Sequence, residues 1–211
     1  MTHAEQPVHS AGTPLSHARL AVVTLHGRGG TTPGILTLAH ELRISDAAYL
    51  APQAAGNSWY PFSFLAPIER NEPWLGSALA AVAATMQRCM DAGIPPERTV
   101  LLGFSQGACL ALEFAARHAR RYGGVACLSG GLIGPEVRPE SYTGSFDATP
   151  VFLGCSDVDS HIPAERVRES AAVLERINAD VTMRLYPGMG HTINADELSR
   201  MRTMLAAVSK G

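Results

Sequence analysis

The chain has 211 residues, 46% of them hydrophobic, with 17 basic against 19 acidic side chains and a formal net charge of −2. That length supports one sizeable core and not two, and the apolar content excludes a disordered chain. Lys210 is the only lysine and the arginines are scattered, so the charge pattern gives no footprint for nucleic acid.

The first sixteen residues are polar and include Pro7, Gly12 and Pro14. They read as a flexible arm ahead of a domain over residues 17–211. They lack the basic and apolar regions of a signal peptide. His3, His9 and His17 match no metal spacing and are expected to be solvated. Residues 19–25, mostly apolar, read as a buried strand. The loop His26-Gly27-Arg28-Gly29-Gly30 follows, then a helix over residues 34–43 and a strand over residues 47–51, closed by Pro52. Residues 53–73 are irregular and carry Trp59, Tyr60, Phe62 and Phe64. Aromatics in such a segment suit a ligand pocket, so Trp59, Tyr60 and Phe64 are expected substrate contacts. Asn71 as a cap and Pro73 in the first turn predict a helix over residues 74–92, stopped by Gly93 and Pro95.

From Thr99 another apolar strand runs into Gly103-Phe104-Ser105-Gln106-Gly107 and a helix over residues 108–117. A strand over residues 124–128 and a Gly/Pro-rich loop over residues 129–149 come next. Strands over residues 151–154 and 181–186 then alternate with helices over residues 164–178 and 196–209. This alternation predicts a single α/β domain, a mostly parallel sheet flanked by helices, with no insertion large enough for a cap domain. The longest apolar stretch, residues 75–86, is too short to span a bilayer, so no stable membrane insertion is expected. Cys89, Cys109, Cys127 and Cys155 have no Cys-x-x-Cys spacing and suit a reducing, cytoplasmic setting.

A serine on a strand-to-helix turn exposes its hydroxyl at the carboxyl edge of a sheet. It then needs an imidazole to take its proton and a carboxylate to orient that imidazole. Asp157 and Asp159 follow one later strand, and Pro187-Gly188-Met189-Gly190-His191 follows the last. Ser105, an aspartate and His191 therefore stand in the chain order of a hydrolase triad. Spacing alone does not choose between Asp157 and Asp159. Oxyanion donors are expected from the backbone N–H of Gln106 and, in the early glycine-rich loop, of Arg28. A dinucleotide loop is disfavoured there because Thr32 stands where a third glycine belongs. His26 is expected to support this loop, Cys109 to pack its helix, and Met189 to touch substrate. The scheme calls for no metal and no organic cofactor.

Taken together, Leu25-His26-Gly27-Arg28-Gly29-Gly30, Ser58-Trp59-Tyr60, Gly103-Phe104-Ser105-Gln106-Gly107, Asp159-Ser160-His161-Ile162-Pro163 and Gly190-His191 resemble one family. It is the phospholipase/carboxylesterase family of α/β-hydrolases, which includes acyl-protein thioesterases and small bacterial esterases. The matching pieces span nearly the whole chain after the N-terminal arm. The resemblance implies Asp159 as the acid, because the family aspartate stands four residues before a proline, here Pro163. Ser160 replaces the usual proline after the aspartate. Gly29-Gly30 replaces the Gly-Asp common in acyl-protein thioesterases, and Trp59-Tyr60-Pro61 replaces their Trp-Phe-Asp. These departures point to the bacterial small-esterase branch. The implied function is a serine carboxylesterase acting on short-chain esters through an acyl-enzyme. An acyl thioesterase or lysophospholipase is the alternative, and a non-catalytic binding protein on the same scaffold a third reading. The expected partner is a small-molecule ester, with the chain a monomer or homodimer.

Overall fold

The computed structural model describes residues 3–210. Its strands are β1 (Val8–Gly12), β2 (Leu20–Leu25), β3 (Ala47–Pro52), β4 (Thr99–Phe104), β5 (Gly124–Leu128), β6 (Pro150–Ser156) and β7 (Asp180–Tyr186). Its helices are α1 (Thr32–Leu42), α2 (Ile68–Asn71), α3 (Trp74–Asp91), α4 (Gln106–Arg117), α5 (Ala164–Arg176) and α6 (Ala195–Lys210). The strands form one sheet in the order β1-β3-β2-β4-β5-β6-β7. All neighbours pair in parallel except β1, which runs antiparallel to β3 at one edge.

Alternate residues of each inner strand enter different cores. Ala21, Val23 and Leu25 of β2 pack in a cluster with residues of α3, α4 and α5, while Leu20 and Val22 pack in a cluster with α1 and α6. Covering both faces of a sheet with side-chain period two makes the inner strands mostly apolar along their whole length. The loop over residues 129–149 is held from α5. The buried Arg166 guanidinium donates to the carbonyls of Leu132 at 3.0 Å, Gly134 at 2.7 Å and Pro135 at 3.0 Å. Among the described residues, no helix is long and apolar enough to cross a membrane.

The N-terminal residues correct the sequence reading. Val8–Gly12 is not part of a flexible arm but a strand, and it extends the sheet beyond β3. Its burial is partial and its residues are small or polar, so main-chain pairing holds it and no apolar period announces it. His3 is buried, not solvated: its Nε2 donates to Trp59 O at 2.9 Å and its Nδ1 accepts the Ala55 N–H at 3.0 Å. Burial lowers its pKa, which favours this neutral form. His9 Nδ1 lies 2.7 Å from Thr32 Oγ1 and ties β1 to the start of α1.

Asn71 also differs from its expected capping role. It is buried, its Oδ1 accepts the Phe62 N–H at 2.9 Å, and its Nδ2 donates to Ser63 O at 3.0 Å. The first turn of α3 is served by Glu72, whose carboxylate accepts the Gly76 N–H at 3.0 Å.

Helix α6 opens on a reciprocal cap. Asn194 Oδ1 accepts the Glu197 N–H at 2.9 Å, and Glu197 Oε2 accepts the Asn194 N–H at 2.8 Å. Glu197 is fully buried and its Oε1 has no hydrogen-bond partner. Burial, more than the cap, sets its titration and pushes the carboxyl from 4.5 to about 7. The folded state therefore holds this proton more tightly than the unfolded chain, and the stability so gained is lost as pH rises from 4.5 through about 7. Glu197→Gln removes that loss. Thermal melts should show the variant gaining on the native protein by about 5 °C between pH 5 and pH 8. A gap that does not widen with pH would rule out an ionising Glu197.

Candidate active site

Ser105 sits between β4 and α4 with φ 56° and ψ −122°, a conformation that costs a non-glycine residue about 1–3 kcal/mol. The turn is braced on both sides: Ser105 N–H donates to Leu128 O at 2.9 Å, and Cys109 N–H donates to Ser105 O at 3.0 Å. The two flanking glycines answer a steric demand. A Cβ on Gly103 would overlap Gly107 O, and one on Gly107 would overlap Leu25 O and lie 2.6 Å from His26 O. No side chain fits where strand and helix approach this closely.

His191 follows β7 on a loop whose Gly188 and Gly190 take positive φ. Its Nε2 lies 2.8 Å from Ser105 Oγ and its Nδ1 lies 2.7 Å from Asp159 Oδ2. A carboxylate can only accept, so in the neutral imidazole Nδ1 carries the proton and Nε2 accepts from the serine hydroxyl. The His191 ring packs on Phe104 at a centroid distance of 5.0 Å, and His161 meets it edge-on at 4.8 Å.

Asp159, not Asp157, faces His191. Its side chain is fully buried, and its Oδ1 accepts the N–H groups of His161 at 2.8 Å and Ile162 at 3.1 Å. Burial works to raise its pKa. The His191 hydrogen bond and the two backbone donors outweigh it and hold the carboxyl below its usual range. Asp157 instead accepts the Gly188 N–H at 2.8 Å and pins the loop that carries His191.

The glycine-rich loop after β2 lies against the serine. A Cβ on Gly27 would stand 3.2 Å from Ser105 Cβ. Gly29 N–H donates to Asn57 O at 2.7 Å and Gly30 N–H to Gly27 O at 3.0 Å, bonds that turn the loop without using the Arg28 N–H. Gln106 is the first residue of α4, so its N–H has no acceptor within the helix. His26 braces the loop from behind. Its Nδ1 donates to Gly27 O at 2.8 Å, and its Nε2 accepts from Ala54 N–H at 3.1 Å.

Ser105, His191, Arg28 and Gln106 line a cavity of about 630 Å³ at the carboxyl edge of the sheet, together with Tyr60, Phe64 and eight neighbours. Two expected substrate contacts do not reach it. Trp59 is wholly buried in the core, where its indole N–H donates to His26 O at 2.8 Å. It supports the glycine-rich loop and is no pocket wall. Met189 is also not among the lining residues, and its Sδ turns back to Asn194 Nδ2 at 2.7 Å.

Phe62, one of the aromatics named in the irregular segment, lines the cavity as well, whereas Phe104, His161 and Ile162, which also line it, were not foreseen as pocket residues. It also gave Cys109 packing alone, whereas this buried thiol reaches the cavity as well. Its position four residues after Ser105 on α4 carried that signal, since such residues share a helix face.

Residues 9–209 match the phospholipase/carboxylesterase family. A crystal structure of a phospholipase/carboxylesterase from Dyadobacter fermentans superposes with a TM-score of 0.94 at 45% identity, covering 98% of either chain. Acyl-protein thioesterase 1 of Gibberella zeae is 35% identical over 125 residues, which is 57% of this chain and only about half (52%) of that protein's length. A probable carboxylesterase, SOBER1-like, of Arabidopsis thaliana is 27% identical over 207 residues, 90% of this chain and 79% of its own. With its seven-stranded sheet and this family match over nearly its whole length, the chain belongs to the phospholipase/carboxylesterase family of α/β-hydrolases and is a serine hydrolase.

Proposed function

We propose that the chain is a carboxylesterase that hydrolyses short-chain carboxylic esters through an acyl-enzyme. One observation carries the reading. Hydrogen bonds of 2.8 Å and 2.7 Å join Ser105, His191 and Asp159 at the wall of an open cavity. In this scheme Ser105 Oγ attacks the ester carbonyl while His191 Nε2 takes its proton. The tetrahedral oxyanion is held by the N–H groups of Arg28 and Gln106. His191 returns the proton to the departing alcohol, leaving the acyl group on Ser105. Water, deprotonated by His191 in its turn, attacks the acyl carbonyl, the bond to Ser105 Oγ breaks, and His191 passes the proton to that oxygen as the acid leaves. Asp159 keeps the proton of His191 on Nδ1 and balances the imidazolium that forms.

Without a cap domain the cavity of about 630 Å³ is open to one side, and the proposed short-chain preference rests on that openness. The reading includes a cytoplasmic location, which four buried free cysteines favour. A thioesterase is the second reading, because one relative at 35% identity is named acyl-protein thioesterase 1. The same proton path serves it, with a thiolate as leaving group. Rates on p-nitrophenyl esters of graded acyl length, an acyl thioester and a lysophospholipid separate the two. The expected result is a maximum on the shortest esters and a fall of about tenfold or more in kcat/KM toward long acyl groups. A thioester preference, or rates rising with chain length, would displace the short-chain esterase reading. A folded sample that a fluorophosphonate fails to label would point to a non-catalytic binding protein.

A further inference from the structure

The side chains of Arg28 and Gln106 have no part in the proposed chemistry, which uses only their backbone N–H groups. Both grip the same short segment. Arg28 Nη1 donates to Ser58 Oγ and to Pro61 O, each at 3.0 Å, and Nη2 donates to Phe62 O at 2.7 Å. Gln106 Oε1 accepts the Trp59 N–H at 2.9 Å, and Nε2 donates to Tyr60 O at 2.8 Å. The carbonyls of three consecutive residues are thus held by two side chains. From the other side Asn71 accepts the Phe62 N–H at 2.9 Å. The segment has no helix or strand of its own, so these bonds replace the ladder that would otherwise fix it. Tyr60, Pro61, Phe62 and Phe64 line the cavity beside Ser105.

We infer that Arg28 and Gln106 are positioning residues that lock the residue 58–62 wall to the oxyanion loop and thereby set acyl-chain selectivity. The inference rests on the esterase reading of the site. A planar guanidinium can hold two neighbouring carbonyls at once, which an ammonium on a flexible stem cannot do in the same geometry. An acetyl group ends close to Ser105 and needs little of the wall. A hexanoyl chain has to lie along it.

The test uses the full chain with Arg28→Ala and Arg28→Lys, assayed on p-nitrophenyl acetate and hexanoate. The ratio of hexanoate KM to acetate KM should rise about fivefold in both variants, over and above any loss that the two esters share. Millimolar methylguanidinium should recover the hexanoate rate of Arg28→Ala. Amide hydrogen exchange at Trp59 and Phe62 should quicken about tenfold, a readout independent of ester chemistry. Equal losses on both esters, or unchanged exchange at those two amides, would overturn the inference. If Arg28→Ala does not fold, Arg28→Lys carries the same expectations, since it keeps the stem and the charge. Failure of a fluorophosphonate to label the native protein would sink the esterase reading instead, and the exchange result would still decide whether Arg28 is a clamp.

Discussion

Ser105→Ala should fold normally and lose nearly all turnover, with kcat/KM on p-nitrophenyl acetate falling by about 10⁴–10⁶. The substitution removes one oxygen and leaves the backbone bonds of the turn in place, Ser105 N–H to Leu128 O and Cys109 N–H to the residue 105 carbonyl. His191 Nε2 then has no hydroxyl to deprotonate, and the residual rate is what cavity binding and the oxyanion donors supply alone. Stability gives an independent readout. Alanine keeps the penalty of φ 56°, whereas glycine adopts that conformation freely. Ser105→Gly should be as inactive as Ser105→Ala but more stable by about 1 kcal/mol in denaturant melts. Undiminished hydrolysis by either variant would remove Ser105 from the chemistry. Equal stability of the two would remove the strain account while leaving the nucleophile in place.

The inner sheet was legible because both its faces are covered, so β2, β4, β5 and β6 are buried at nearly every step and mostly apolar. Ser105 was legible because it follows such a strand, and His191 because it follows the edge strand β7. The end of β6 left Asp157 and Asp159 both open, and the family resemblance chose Asp159. What escaped was set by contacts distant in the chain. Trp59 points into the core because Gln106, His26 and His3 fix its backbone and its indole, and those partners lie 33 to 56 residues away. An aromatic in an irregular segment does not announce which way it faces. Strand β1 escaped for another reason: Val8-His9-Ser10-Ala11-Gly12 has no large apolar period, and its register is written in main-chain bonds to β3. The clamp of Arg28 on residues 58–62 is likewise invisible in a glycine-rich loop, where only the backbone role carries a motif.

Asp159→Asn should cost about 10⁴ in kcat while Asp157→Asn changes it less than about threefold. The direction follows from how the amide must sit. Oδ1 of residue 159 receives the N–H groups of His161 and Ile162, at 2.8 Å and 3.1 Å, so only the amide oxygen can occupy that place. The NH₂ is then turned toward His191 Nδ1, which has to accept. The imidazole proton moves to Nε2, the atom 2.8 Å from Ser105 Oγ, and the serine loses its base. Asp157 accepts a single N–H from Gly188, a bond an amide oxygen makes equally well. The variant should also alter stability with a defined pH dependence. In the folded protein the Asp159 carboxyl is held below its usual range, so it contributes stability above that range and loses it as pH falls through the depressed value. Asp159→Asn lacks the ionisation altogether. The stability gap between native protein and variant should therefore be widest near neutrality and narrow below about pH 4. A gap of constant size would mean that the carboxylate's charge is not what the His191 and backbone donors stabilise. An unchanged kcat in Asp159→Asn would mean that His191 keeps its working tautomer without the acid.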